Sequence, residues 1–246
     1  MEPTVRSRCG LEGKRLPLAA ECPQNDGSFY FSGKSMIPAR EALQRLREGN
    51  RRFADENRSS ESLISSSRRA ELTNGQEPFA AILGCSDSRV PVEIIFDQGL
   101  GDLFVIRVAG NIVAPSQIGS VEFVAERFKT RLVVVLGHSR CGVIQATLEQ
   151  LTGPTERRSR NVHSIVNRVR PSVEGLLETG LKYDYDALVH HAVRANVRAS
   201  TNQLRHGSQV IEQMIQTEGL LVVGAEYSLE TGLVEFFDGA PDEEVG

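Results

Sequence analysis

Two short segments of the sequence carry side chains that could bind a metal ion. The first is CSDSR, in which Cys85, Asp87 and Arg89 occupy alternate positions directly after the apolar run AAILG. The second is HSRC, in which His138 and Cys141 follow the apolar run LVVVLG. Alternate residues of an extended chain point the same way, so the first segment presents a thiol, a carboxylate and a guanidinium together where its strand ends. Such groups are costly to bury without a partner or a function.

The two segments together offer two sulfurs, one imidazole and one carboxylate, a ligand set that suits Zn²⁺ in tetrahedral geometry. A single buried cysteine usually packs as a small hydrophobic residue. Here, however, each cysteine has a second potential ligand two or three residues away. Cys141 would also lie at the start of a helix, where the helix dipole favours its thiolate. We therefore expect one zinc ion per chain, held by Cys85, Asp87, His138 and Cys141.

Arg89 suggests a second role for Asp87. Two thiolates neutralise a Zn²⁺ ion, so a bound Asp87 carboxylate would leave an excess negative charge at the metal. A neighbouring guanidinium offers the released carboxylate a bidentate partner, and release would open one position for water. An open zinc site is typical of a hydration or hydrolysis catalyst. The pair could instead be an ordinary surface ion pair. We favour exchange of Asp87 between the metal and Arg89, called here the Asp87–Arg89 latch. An ordinary surface ion pair would not need a cysteine beside it at the end of a strand.

Strand and helix patterns alternate around these two segments. Apolar runs predict four strands, over 78–85, 102–110, 131–137 and 219–227, and a short final strand over 233–238. Helical periodicity predicts helices over 36–56, 91–98, 114–130, 141–151, 161–179, 184–206 and 208–217. This order predicts a single α/β domain with a mostly parallel central sheet, flanked by helices and preceded by an N-terminal helical arm. Residues 1–35, rich in Gly, Pro, Ser and charge, are expected to be a tail that need not be ordered.

Composition narrows the possible partners and compartment. The 246 residues carry a net charge of −4, and only 6% are aromatic, with no tryptophan. Neither value favours a nucleic-acid surface, and apolar runs fall short of the roughly 20 residues of a membrane span. Four cysteines in a chain of this length do not form a typical disulfide framework. We expect a cytoplasmic protein with no nucleic-acid or membrane partner.

The segments CSDSRV (85–90) and GHSRCG (137–142) together resemble the zinc motifs of the β-class carbonic anhydrases. The resemblance covers roughly residues 37–238 and continues through PVEIIFDQGLGDLFVIRVAGN, GSVEFV and GLLVVGAEYSLETGLVEFF. It implies that residues 36–246 form a catalytic domain in which Cys85, His138 and Cys141 bind zinc. Asp87 would be the exchangeable fourth ligand, displaced by water when it pairs with Arg89. The implied reaction is reversible hydration of CO₂ to bicarbonate and a proton, by attack of zinc-bound hydroxide that Asp87 orients.

The resemblance also implies a second subunit. Gln98 stands where many family members have a glutamine that contacts substrate across the subunit interface, although an ordinary exposed turn residue fits its loop equally well. Members of the family are dimers or assemblies of dimers, and their N-terminal helix embraces the partner. Residues 36–56 fit that helix. We therefore expect a homodimer or a dimer of dimers.

Two other functions remain open at this point. A related zinc hydrolase acting on carbonyl sulfide or carbon disulfide would use the same ligands and differ in access to its pocket. A non-catalytic, zinc-stabilised module would bind bicarbonate or a partner protein, and loss of Asp87 or Arg89 would be its signature. Both residues are present, so the sequence favours carbonic anhydrase activity.

Overall fold

The computed structural model of the chain describes residues 37–58, 65–153 and 159–241. The predicted tail, 1–35, lies outside these residues. The described α-helices are α1 (Ala39–Ala54), α2 (Ser66–Glu71), α3 (Val92–Ile95), α4 (Pro115–Arg127), α5 (Gly142–Thr152), α6 (Arg160–Val173), α7 (Tyr185–His206) and α8 (Gln209–Thr217). Short 3-10 segments occupy Leu72–Asn74, Ala109–Asn111, Glu174–Glu178 and Gly180–Tyr183. Among these helices, none combines the length and the apolar character needed to cross a bilayer.

A five-stranded sheet forms the centre of the described domain. Its strands are β1 (Ala80–Gly84), β2 (Leu103–Arg107), β3 (Leu132–His138), β4 (Leu221–Tyr227) and β5 (Val234–Asp238). Their order across the sheet is β2-β1-β3-β4-β5. The first four strands run parallel, and β5 runs antiparallel to β4. The prediction of four parallel strands and a short final strand is confirmed.

Helices cover both faces of this sheet, which explains why β1 and β3 are apolar along their length. Both strands are buried at every position, as is typical of parallel strands covered on two sides. Along β3, Leu132, Val134 and Leu136 pack in the cluster that holds the buried side chains of α1 and α3. Val133 and Val135 point the other way, into the cluster formed with α4, α7 and α8. A third cluster, beside the carboxyl end of the sheet, contains Cys85 and Cys141 with apolar side chains of α5, α6 and α7.

Among the element boundaries that differ from the sequence prediction, three concern the site or the helices beside it. The helix predicted over 91–98 is a single turn, Val92–Ile95. The helix predicted over 161–179 ends at Val173 and continues as a 3-10 segment. Pro171 lies in its last turn and lacks the N–H that an interior helical position would donate. Strand β3 extends one residue further than predicted, so His138 is the last residue of the strand itself.

The N-terminal helix α1 packs against the sheet of its own chain. Leu43 and Leu46, one turn apart on this helix, are fully buried in the same cluster as β1 and β3. Gly49 permits a close approach to the end of α3, because a Cβ at this position would stand 1.9 Å from the Phe96 carbonyl oxygen. The apolar face of α1 is therefore covered within one subunit, whatever else the helix contacts.

Candidate metal centre

The sheet topology brings the two predicted segments together. Strands β1 and β3 are parallel neighbours, with Gly84 opposite Leu136, so the residues that follow them meet at one edge of the sheet. Cys85, His138 and Cys141 each direct one potential ligand atom to this place, and these atoms all lie within 4.8 Å of one another. All three residues are buried. Two sulfurs and one imidazole nitrogen are thus assembled by residues far apart in the sequence.

The His138 ring is oriented for metal binding. Its Nδ1 lies 2.9 Å from the Ser139 carbonyl oxygen. A carbonyl oxygen can only accept, so Nδ1 carries the hydrogen and Nε2 keeps its lone pair. Nε2 is buried and has no hydrogen-bond partner among the described residues. Leaving such an atom unpaired costs about 1–3 kcal/mol, and a bound cation would satisfy it. The residues present therefore fit a metal ion.

A hydrogen bond between the two sulfurs lowers the pKa of one cysteine and raises the pKa of the other. The bond from Cys141 lowers the pKa of Cys85 to about 4 against the effect of burial, and the His138 side chain and the backbone N–H groups of Gly110 and Asp87 also lower it. The same bond raises the pKa of Cys141, and burial adds to this rise. The first N–H groups of α5 favour a Cys141 thiolate as expected, but their effect is outweighed. A charge on Cys85 therefore disfavours a second charge on Cys141.

Asp87 is bound to Arg89 rather than placed among the three donors. Arg89 Nε donates to Asp87 Oδ1 at 2.9 Å, and Nη2 donates to Oδ2 at 2.8 Å. The Arg89 backbone N–H also donates to Oδ1, at 3.0 Å. These bonds hold the pKa of Asp87 well below its usual range, so the group is a carboxylate at neutral pH. Oδ2 lies 3.9 Å from His138 Nε2, beyond hydrogen-bonding distance but beside the donor cluster.

Comparison with known proteins identifies the family. A sequence profile described as carbonic anhydrase matches residues 80–234. The carbonic anhydrase of Mycolicibacterium smegmatis is 39% identical over 197 residues, which cover 79% of this chain and 91% of that protein. The chain belongs to the β-class carbonic anhydrase family. The members of this family are lyases, so the Cys85, His138 and Cys141 group lies in an enzyme fold.

Solved structures of the β-class carbonic anhydrases share this fold. The β-carbonic anhydrase of Aspergillus fumigatus superposes with a TM-score of 0.64 at 25% identity, covering 82% of this chain and 91% of that one. Two tetrameric β-carbonic anhydrases from Sordaria macrospora are represented by a chain with a TM-score of 0.62 at 23% identity, covering 80% and 96% of the two chains. The architecture predicted from the sequence is therefore that of the family.

Gln98, predicted as a substrate-contacting residue, is buried and bonded within its own chain. Only 6% of it is exposed, so the alternative of an exposed turn residue is wrong. Its Oε1 accepts a hydrogen bond from Arg45 Nε at 2.9 Å, and its Nε2 donates to the Phe96 carbonyl oxygen at 2.7 Å. Within the described part of the chain, these bonds direct Gln98 to α1 and α3 rather than to the cysteines.

Two side chains that hold the segments after β1 and β3 in this β-class carbonic anhydrase fold were missed by the sequence analysis. Arg107 Nε donates to the Cys85 carbonyl oxygen at 3.1 Å, and its Nη2 donates to that of Asp87 at 2.7 Å. As the last residue of β2, Arg107 could have been found by the strand-end rule that singled out Cys85 and His138. Glu230 accepts from Ser139 Oγ at 2.7 Å and has no such signal, because it lies in a turn after β4.

Proposed function

We propose that the chain catalyses the reversible hydration of CO₂ to bicarbonate and a proton, with one zinc ion held by Cys85, His138 and Cys141. The observation that carries this proposal is the set of three buried donors within 4.8 Å of one another, beside a carboxylate that is turned away to an arginine. Sulfur and imidazole nitrogen are the ligands that zinc prefers. Three protein ligands with a free fourth position are typical of catalytic rather than structural zinc sites.

When bound, a zinc ion supplies a Lewis acid that makes water nucleophilic near neutral pH. The chain's own contribution is made by Asp87. An ionised carboxylate can only accept hydrogen bonds. Asp87 Oδ2 therefore accepts a hydrogen bond from the O–H group of the attacking water, which leaves a lone pair of the water oxygen directed at CO₂. Arg89 keeps Asp87 ionised and holds it in place through two side-chain bonds. The apolar side chains around Cys85 and Cys141 provide a dry wall for an uncharged substrate.

The Asp87–Arg89 latch has a second position in this proposal. If Asp87 leaves Arg89, its carboxylate would serve as a further ligand for the ion and would exclude water. The 3.9 Å between Asp87 Oδ2 and His138 Nε2 supports this step, because only a short movement separates the carboxylate from the donor cluster. The bonds to Arg89 then favour the open, active state. Removing the guanidinium shifts the balance towards the closed one.

Stopped-flow measurement of CO₂ hydration by the zinc-loaded protein tests the proposal. Hydration well above the uncatalysed rate is expected, and Arg89→Ala should retain zinc while losing activity by roughly 100-fold, since Asp87 is no longer positioned. Arg69→Ala, at an exposed arginine of α2, is the matched control and should keep full activity. A zinc-loaded protein that turns over carbonyl sulfide but not CO₂, or neither, would overturn the proposal. Full activity of Arg89→Ala would remove the latch.

We also propose a homodimer or a dimer of dimers, in which Gln98 exchanges its bond to the half-exposed Arg45 for one to substrate across the subunit boundary. Tetramers of the Sordaria macrospora relatives support this assembly. So do large apolar side chains left exposed near Gln98 and on α4, namely Ile94, Leu100 and Phe123. Light scattering after size exclusion should give two or four times the 27.0 kDa of one chain. A mass of one chain would contradict the assembly and the proposed role of Gln98.

We place the protein in a reducing, cytoplasmic compartment. Cys85 and Cys141 are free cysteines in the described structure, and metal binding needs both sulfurs as thiolates. An oxidising compartment would favour a disulfide between two sulfurs this close, which would remove both ligands. Fractionation of cells that express the full chain tests this placement, and recovery outside the cytoplasm would contradict it.

A further inference from the structure

A chain of two hydrogen bonds connects helix α7 to the sulfur of Cys85. The backbone N–H of Gly110 donates to Cys85 Sγ at 3.3 Å. On the other side of the same turn, Asn196 Nδ2 donates to the Gly110 carbonyl oxygen at 2.9 Å. We propose that Asn196 is a positioning residue for the metal centre: it fixes the turn so that the Gly110 N–H stays directed at the sulfur. The inference rests on the proposed metal site, but not on the reaction catalysed there.

The turn needs such an anchor because its backbone is unusual. Gly110 has a φ of 74° and Asn111 a φ of 42°, two consecutive residues in the left-handed region. Glycine adopts this region at little cost, but it also moves out of it easily. A side chain cannot replace the glycine, since a Cβ would lie 2.8 Å from Val143 Cγ1 at the start of α5. Within the turn, the Asn111 N–H donates to the Val108 carbonyl oxygen at 3.0 Å. A contact from outside is needed to hold the Gly110 carbonyl oxygen as well.

Asn196 is well placed to hold it. The residue lies in the middle of α7, is only 2% exposed, and reaches across 86 positions of sequence to Gly110. Its neighbours on the same helix, Ala192 and Val193, pack in the cluster that contains Cys85 and Cys141. In such a dry environment a hydrogen bond is stronger than in water, and an unpaired carbonyl oxygen is costly. The side chain of Asn196 thus anchors the turn to a rigid helix.

The consequence for the metal centre follows from the N–H···S bond. This bond stabilises negative charge on Cys85 and fixes the direction of its lone pairs, so the site is arranged before an ion arrives. Loss of a group that hydrogen-bonds to a metal ligand and orients it typically lowers metal affinity by about 10- to 100-fold. Loss of the anchor should weaken binding of a thiophilic divalent ion. It should also leave a sulfur that gives up electron density more readily to a bound transition metal.

Asn196→Leu tests this inference, because leucine keeps the volume of the side chain and removes the donor. Zinc affinity of the full-length variant, measured by competition with a chelating dye, should fall by at least about tenfold. In the Co²⁺-substituted protein, the sulfur-to-cobalt charge-transfer band should move to longer wavelength. Asn196→Gln, which keeps an amide donor, should recover part of both changes. Thr201→Val is the matched control: Thr201 is equally buried on α7, but its hydroxyl donates to Val197 within the helix.

The inference is wrong if Asn196→Leu binds zinc as the wild type does and its cobalt spectrum is unchanged. It is also wrong if Thr201→Val shows the same changes, since these would then reflect general loss of stability. A second measurement needs no variant. In the ¹¹³Cd-substituted wild type, the Gly110 amide proton should show scalar coupling to the metal through Cys85 Sγ, and absence of coupling would overturn the inference. Failure to hydrate CO₂ with these metal-binding results intact would refute the proposed function alone.

Discussion

Asn50 joins three elements of the domain, and its replacement is expected to be costly. The residue lies on α1, is 3% exposed, and uses its whole amide group. Its Nδ2 donates to the carbonyl oxygens of Ile95 at 3.2 Å and Gly232 at 2.9 Å. Its Oδ1 accepts from the Val234 N–H at 2.8 Å. The side chain therefore connects α1 with the end of α3 and with the turn that leads into β5.

The cost of Asn50→Ala follows from these three bonds. Each contributes about 1 kcal/mol net, and a buried partner left unpaired costs about 1–3 kcal/mol. Some relaxation and water entry will reduce the sum, so we expect a loss of about 3 kcal/mol. For a domain of this size, that loss corresponds to a decrease in Tm of roughly 6–12 °C.

Urea titration monitored by circular dichroism measures the loss in free energy of unfolding. The protein concentration is kept fixed, because subunit association would also affect stability. Gln44→Ala is the matched control on the same helix, since within the described part of the chain the Gln44 side chain donates an exposed hydrogen bond to Glu48. It should change the free energy of unfolding by less than about 0.5 kcal/mol. If Asn50→Ala costs less than about 1 kcal/mol, Asn50 does not connect these elements as the structure indicates.

Two further perturbations test other parts of the account. Gly49→Ala should destabilise the domain more than Asn50→Ala, because the new Cβ would meet the Phe96 carbonyl oxygen at 1.9 Å and force α1 away from α3. A Tm no lower than that of Asn50→Ala would contradict this packing. Glu235→Gln tests an ion pair in which Arg194 donates to both carboxylate oxygens and lowers the pKa of Glu235. A lowered carboxyl pKa stabilises the fold above its usual value of 4.5 and ceases to do so as the pH falls through the lowered pKa. Because Glu235 is largely exposed, the variant should lose less than about 1 kcal/mol at pH 7, and urea titrations from about pH 5 to 3 should show this difference shrinking; a difference that grows on acidification would contradict the assignment.

The sequence was sufficient to predict that Cys85, His138 and Cys141 come together, because the relevant pattern is local. Cys85 and His138 each follow an apolar run, and runs of that kind form neighbouring parallel strands whose ends meet at one edge of the sheet. The strand predictions held for the same reason: a strand covered on both faces must be apolar at every position. Both arguments use only residues that are adjacent in sequence and one general rule of topology.

Features that depend on contacts between distant residues were not predictable. Gln98 looks like a polar turn residue, and its burial follows from the position of Arg45 on α1, 53 residues earlier. Nothing in the sequence near Asn196 indicates its bond to Gly110. The single-turn length of α3 has a similar origin. The chain turns back at Asp97, whose φ of 47° is incompatible with a continuing helix and is held by an ion pair with Arg52 at 2.7 Å.

Zinc K-edge X-ray absorption of the full-length protein tests the central claim most directly, because it reports the atoms bound to the ion itself. The account predicts two sulfur scatterers at about 2.3 Å and the remaining nitrogen or oxygen scatterers at about 2.0–2.1 Å. The Cys141→Ser variant should lose one sulfur from this shell. A first shell of nitrogen and oxygen alone, or one unchanged in Cys141→Ser, would show that the ion is held elsewhere in the chain and would contradict the proposed centre.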